Sequence, residues 1–269
     1  MLAAPCYIFS DSHLGAGARD DDRALASFLR HLRGHAGSLL INGDLFDFWF
    51  EWRHVMPRGH FRVLAALADL RDAGLPVLMI GGNHDCWGGE ILEKDVGIEY
   101  RLGILETSLG GWRAHVEHGD GLRPVEDRPY RRLRAVLRNP LSIRAFRWLH
   151  PDWASRLATS SSDASRVHRA RDGGAGLHAV ANEMLSRDAG PELVVLGHSH
   201  VPALERAPHG GVYANPGAWL DSRSYLVVTP ERIELRRWRA GGTQPGDESA
   251  ESELLHSLDR RTEEALPLP

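Results

Sequence analysis

The sequence predicts an α/β fold built on a parallel sheet, on two observations. Short apolar runs alternate with segments whose apolar residues recur at helical spacing, and each run ends on a small polar cluster. Strands buried on both faces read as continuous apolar runs, and strand–helix–strand order implies parallel pairing through right-handed crossovers.

Tyr7-Ile8-Phe9 is the first run and ends at Ser10-Asp11. Asp20 to Asp22 supply a cap for a helix with Leu25, Phe28, Leu29 and Leu32 on one face. Leu39-Leu40-Ile41 is the second run, ending at Asn42-Gly43-Asp44. A helix from about Phe61 to Arg71 carries Val63, Leu64, Leu67 and Leu70, and Gly74 stops it. Val77-Leu78-Met79-Ile80 follows, ending at Gly81-Gly82-Asn83. Trp112 to His118 alternates as a strand, and Leu193-Val194-Val195-Leu196 is another buried run. Between them, Tyr130 to Ser165 carries Leu133, Val136, Leu137, Ile143, Phe146, Trp148, Leu149, Trp153 and Leu157 at helical spacing, broken by Pro140 and Pro151. This predicts a helical insertion covering one edge of the sheet. After Asp172-Gly173-Gly174-Ala175-Gly176 comes a helix with Leu177, Val180, Ala181, Met184 and Leu185 on one face. Val212 to Asn215, Tyr225 to Val228 and Ile233 to Trp238 read as closing antiparallel strands. The predicted organisation is one domain over 1–242, including an insertion at 123–171, then an acidic tail at 243–269 expected to be disordered.

Composition limits the function. From Arg123 to Arg171 there are twelve arginines against four acidic residues, and from Thr243 to Pro269 seven acidic residues against two arginines. Basic middle and acidic tail cancel into a formal charge of −4, which gives no overall nucleic-acid signature. Two cysteines make no disulfide framework. No basic region followed by an apolar run marks a signal peptide, and no stretch reaches the ~18 apolar residues of a spanning helix. A soluble or peripheral protein of a reducing compartment is expected.

Five polar clusters carry the chemistry: Asp11-Ser12-His13, Gly43-Asp44, Gly82-Asn83-His84-Asp85, His118-Gly119-Asp120 and Gly197-His198-Ser199-His200. Ligands of such sheets gather beyond the carboxyl ends of the strands, where each cluster falls. Together they offer imidazoles, carboxylates and one amide oxygen, a set suited to hard or borderline divalent ions such as Mn, Fe, Mg or Zn. Cys86 is expected to be a small buried filler. A carboxylate between two cations can bridge both at ~3.5–4 Å, and such a pair can activate water against a phosphate.

In order, these blocks follow D-x-H, GD, GNH[DE], a later histidine and GH-x-H, and over Phe9 to His200 the chain resembles the calcineurin-like metallophosphoesterases. The resemblance implies a four-layered αββα sandwich and two metal ions, with Mn2+ the first expectation. It implies that Asp11, His13, Asp44 and His200 hold one ion and that Asp44, Asn83, His118 and His198 hold the other. Gly43-Asp44-Leu45-Phe46-Asp47-Phe48-Trp49, His118-Gly119-Asp120-Gly121 and the arginine-rich insertion are similar to the UDP-2,3-diacylglucosamine hydrolases of lipid A biosynthesis. That similarity implies hydrolysis of a UDP-linked lipid at its pyrophosphate, giving UMP and 2,3-diacylglucosamine 1-phosphate. It also implies a cytoplasmic enzyme, peripheral on the inner membrane, whose insertion is a lid over the acyl chains. A basic and apolar lid suits an anionic membrane surface. Asn83, Asp127, Tyr130, Arg156 and Arg166 are expected to meet substrate.

One departure concerns His84, where better-known members of that group carry Arg. As a catalytic residue it would stabilise phosphoryl charge or protonate the leaving oxygen, with Asp85 orienting its ring. Two other functions remain open: a soluble nucleotide or phosphomonoester phosphatase, and an inactive binding module.

Overall fold

Side-chain alternation builds two sheets and their layers. The computed structural model describes residues 1–17, 19–156, 172–239 and 252–260. In Cys6–Phe9 (β1), Cys6 and Ile8 point to one face while Phe9 points to the other. Ser38–Asn42 (β2) and Val77–Gly81 (β3) repeat this, with Leu40, Leu78 and Ile80 inward and Leu39, Ile41 and Met79 outward. The outward residues meet Leu25, Phe28, Leu29 and Leu32 of Arg19–Leu32 (α1) and Val63, Leu64, Leu67 and Leu70 of Phe61–Asp72 (α2). Each such aliphatic or aromatic side chain contributes about 1.5–3 kcal/mol on burial.

The remaining strands are Glu99–Leu102 (β4), Leu105–Leu109 (β5), Trp112–Glu117 (β6), Leu193–Leu196 (β7), Ala203–Arg206 (β8), Val212–Asn215 (β9), Ser224–Val228 (β10), Arg232–Trp238 (β11) and Ser252–Asp259 (β12). One sheet runs β12-β11-β10-β1-β2-β3-β4, and the other β5-β6-β7-β9-β8. Their inner faces share a core to which β6 gives Val116, β7 gives Leu193 and Val195, and β10 gives Leu226 and Val228. The outer face of the second sheet, through Val194, Leu196 and Tyr213, is covered by Leu177, Ala181 and Leu185 of Ala175–Leu185, here α5. The layers are therefore αββα. The pairs β1–β2, β2–β3 and β6–β7 are parallel, so all five polar clusters leave carboxyl ends of strands.

Arg128–Leu137 (α3) and Pro140–Phe146 (α4) lie within the predicted insertion, and residues 151–156 are helical. Leu157 and Arg166 lie outside the described residues. Ile143, Phe146 and Ala154 pack on Phe48, Phe50, Trp52 and Trp87, and Trp87 Nε1 donates to Leu137 O at 2.9 Å. The insertion is thus docked on aromatic residues that follow the Gly43-Asp44 and Asn83-His84 clusters. Leu133, Val136, Leu141, Trp148 and Trp153 stay exposed.

Two expectations are corrected. β9, read as antiparallel, pairs parallel with β7 and antiparallel with β8, because the β8–β9 hairpin returns the chain beside β7. The tail, read as disordered on its acidic composition, supplies β12, which pairs antiparallel with β11. Arg206 Nη2 donates to Asp259 O, and Arg260 bonds Glu192 at 2.8 Å and lies over the Trp112 ring. Cross-strand ion pairs from Glu253 to Arg237 and Arg239 give its acidic residues partners that composition does not reveal. Among the described residues no helix is long and apolar enough to cross a membrane.

Candidate metal centre

The ends of β1, β2, β3, β6 and β7 bring three sets of donor atoms together. Asp11, His13 and His200 form one, His13, Asp44 and His84 a second, and Asp44, His118 and His198 a third; within each set the donor atoms lie within 4.8 Å of one another. His13 and Asp44 each belong to two sets. The Nε2 atoms of His13 and His200 are 3.2 Å apart, and Asp44 Oδ2 is 3.7 Å from His13 Nε2 and 3.2 Å from His118 Nε2. Asp44 therefore stands between the two ends of the site.

The two candidate carboxylates are each held by one oxygen and present the other. Asp11 Oδ2 accepts from His198 N at 3.0 Å, and Asp44 Oδ1 accepts from His84 N at 2.9 Å. Asp11 Oδ1, Asp44 Oδ2, Asn83 Oδ1, His118 Nε2 and His198 Nδ1 are buried with no hydrogen-bond partner. Buried polar atoms are rarely left so, and these are the oxygen and nitrogen donors that divalent cations take. The imidazoles are oriented from behind: His118 Nδ1 donates to Asn42 O at 2.9 Å, and His200 Nδ1 to Asp221 Oδ2 at 3.0 Å.

The backbone is strained to make this possible. Asp11, His13, Asp44, His198 and His200 all have positive φ, five of the seven non-glycine residues that do so among those described. Such conformations cost about 1–3 kcal/mol each and concentrate at functional sites. Gly43 has φ +87°, and a Cβ there would lie 2.2 Å from His118 Nδ1; a Cβ on Gly82 would lie 2.2 Å from Asp44 Oδ1. These glycines let the clusters close on each other.

Electrostatics point the same way. Burial alone would raise Asp44, but the charges of His118, His84 and His13 hold it well below the usual carboxylate range. Burial likewise opposes charge on His118, yet Asp44 raises it well above an ordinary histidine. His198, buried and beside His118, falls to about 4 and offers a neutral imidazole. The carboxylates create a field that favours positive charge at the centre. Cys86 is buried with its thiol pushed up to about 12, which leaves it a protonated, poor ligand.

Among the expected site residues that are described, Asp85 has partners other than those expected. Asp85 does not orient His84: its Oδ1 accepts from Gly82 N at 2.7 Å, and its Oδ2 from Leu45 N at 2.7 Å and Phe46 N at 3.4 Å, clamping the β2 and β3 loops together. Burial and the nearby Asp44 charge push it up to about 7 against those amides. His84 Nδ1 instead donates to Asp47 O at 2.8 Å. Asp127 is buried and taken up by Arg123, with Nη2–Oδ1 2.7 Å. Tyr130 donates to Asp120 Oδ2 at 2.6 Å, which ties α3 to the His118 loop. Arg156 is exposed.

Sequence reasoning did not assign Asn42, Asp47, Asn215 or Asp221. Asn215 Nδ2 bonds Gly197 O at 3.0 Å and Ser199 Oγ at 3.1 Å, holding the His198–His200 turn. Asp47 lay in the quoted run after Gly43-Asp44, whereas Asp221 had no local signal because its partner is 21 residues away.

The fold and this centre define a class. The profile of the calcineurin-like phosphoesterase family matches residues 4–202, and the chain belongs to that family of metal-dependent hydrolases. A UDP-2,3-diacylglucosamine hydrolase of Porphyromonas gingivalis is 35% identical over 169 residues, 61% of this chain and 64% of that one, so the match spans just under two thirds of that relative. Proteins of the same name are 28% identical in Nitrosococcus oceani, over 84% of this chain and 91% of that one, and 30% identical in Proteus mirabilis, over 86% and 98%.

Proposed function

We propose that this chain hydrolyses the pyrophosphate bond of UDP-2,3-diacylglucosamine, releasing UMP and 2,3-diacylglucosamine 1-phosphate. The observation that carries this reading is the pair of donor sets meeting at Asp44, on a chain whose named relatives cover most of its length. In it, Asp11, His13, Asp44 and His200 hold one divalent ion and Asp44, Asn83, His118 and His198 the other. Two such ions, when bound, supply Lewis-acid activation of a water and neutralise phosphoryl charge. We assign Mn2+, with Fe, Mg and Zn as the other ions that suit these ligands.

The protein's own residues set the geometry. The strained turns at Asp11, His13 and Asp44 fix the carboxylates before substrate arrives, so no reorganisation is needed during reaction. His84, its Nδ1 tied to Asp47 O and its Nε2 4.0 Å from Asp44 Oδ2, faces the reacting phosphate and stabilises charge there. Tyr130 and Asp127 serve substrate indirectly, by holding α3 and its arginines beside the His118 loop. The insertion acts as the lid: exposed Leu133, Val136, Leu141, Trp148 and Trp153 take the acyl chains, and its arginines, Arg156 and Arg166 among them, meet lipid phosphate and an anionic surface. In this reading the enzyme works peripherally, on the cytoplasmic face of the inner membrane.

The water oxygen bonds to the uridylyl phosphorus, the bridging P–O bond breaks with its electron pair on the lipid phosphate, and the water proton passes to solvent. The test is hydrolysis in water carrying a heavy oxygen isotope, with UDP-glucose and an aryl phosphate as competitors. Label in UMP and preference for the lipid are expected. Label in the sugar phosphate reverses the site of attack, and turnover of the aryl phosphate alone makes the protein a general phosphatase.

A further inference from the structure

A cavity of about 580 Å3 lies beside the turn that follows β1. It is lined by Gly15, Arg58, His60, Phe61 and Arg62, with Arg23 and one carboxylate, Asp22. Gly15 is two residues from His13, so the cavity begins within about 7 Å of that candidate ligand along the backbone. We propose that this cavity receives a nucleoside phosphate, the uridine end of the substrate, while the lipid end lies under the insertion; this rests on the UDP-lipid reading above.

Three features argue for such a ligand. The lining carries three guanidinium groups against a single carboxylate, and Arg58 and Arg62 have no carboxylate partner among the described residues. Guanidinium groups recognise phosphate through paired, planar donors. His60 is only 7% exposed, and its Nδ1 is buried without a hydrogen-bond partner, so the cavity wall carries a polar ring that no described protein group satisfies at that atom. Phe61 is 57% exposed at the mouth, with the Arg62 guanidinium 5.5 Å from its ring centre. An exposed aromatic face backed by Arg is the platform on which a base stacks.

The β1 turn lies under the nucleotide, and the β2 and β3 loops, on which the insertion is docked, lie under the lipid.

The experiment is titration of the metal-loaded protein with UMP and with inorganic phosphate, followed by steady-state kinetics on the UDP-lipid. Wild type, Arg58→Ala/Arg62→Ala and Phe61→Ala are compared, with thermal unfolding to establish that each is folded. The arginine pair is expected to weaken UMP binding at least tenfold and to raise KM for the lipid similarly, with kcat changed less than twofold. Phe61→Ala is expected to weaken UMP but not inorganic phosphate. Folded variants that bind UMP and turn over the lipid with wild-type KM overturn the proposal, as does equal binding of phosphate and UMP that ignores Phe61. Wild-type protein that binds UMP through these residues yet leaves the lipid uncut would sink the lipid assignment while leaving the nucleotide cavity in place.

Discussion

Asp44 Oδ2 lies 3.2 Å from His118 Nε2, joining the end of a strand in one sheet to the end of a strand in the other. Their outer atoms are already committed, Asp44 Oδ1 to His84 N and His118 Nδ1 to Asn42 O. What remains between them is a carboxylate oxygen and an imidazole nitrogen aimed at one point, at the seam where the sheets meet.

That seam depends on Gly43. At φ +87°, with a would-be Cβ 2.2 Å from the His118 ring, it has no room for a side chain. Gly43→Ala should cost on the order of 2–4 kcal/mol, from the left-handed backbone and from overpacking. It should also displace His118. Calorimetric unfolding and metal content, measured together, check this; unchanged melting with full metal content would mean that the loop relaxes freely.

Glu51 holds the β3 loop from below. Although only 9% exposed, it accepts from Trp49 Nε1, Gly89 N, Ile91 N and Leu92 N. Each buried donor left unpaired costs about 1–3 kcal/mol. Glu51→Ala should therefore lose several kcal/mol in denaturant unfolding, and Glu51→Gln less. A change below about 0.5 kcal/mol for Ala would show that water replaces the carboxylate.

His60 gives the fold an acid-sensitive point. Burial, against a weaker pull from Asp47, lowers it to about 4, whereas an unfolded histidine titrates near 6.5. Between those values the unfolded chain binds a proton that the folded chain refuses. Stability is therefore full above pH ~6.5 and falls as pH drops toward ~4, by on the order of 3 kcal/mol. His60→Phe should flatten the melting temperature against pH across that window. An unaltered slope would assign the acid loss to other groups.

His84 is tied at Nδ1 to Asp47 O, with Nε2 turned to Asp44. His84→Ala should lower turnover about 10²–10⁴-fold, the range for a group acting on the transferring proton or charge, with both metals still bound. His84→Arg should retain much of the rate if charge is the role. Equal damage by Arg and Ala, with metal content and fold intact, would point to proton transfer or ring geometry instead.

Local signals made much of this readable in advance. The apolar stripes of α1 and α2 and the runs of β1, β2, β3 and β7 are buried as their periodicity implies, because a face's burial is a property of spacing. The five clusters converge because parallel strands put their carboxyl ends on one edge. What was not legible depends on distant partners. Asp85 looks in sequence like a partner of His84, but its oxygens turn to backbone amides of its own loop and of the preceding one. Asp221 supports His200 across 21 residues, and β12 owes its order to Arg206, Arg237, Arg239 and Glu192 rather than to its own composition.

In the proposed function Asp44 joins two metal sites into one catalytic centre. Elemental analysis of the purified protein and of Asp44→Asn, with turnover of the UDP-lipid on the same samples, tests it most directly. Two divalent ions are expected per wild-type chain, and at most one ion, with turnover reduced to background, in the variant. A variant that keeps two tightly bound ions and a near-normal rate would contradict it.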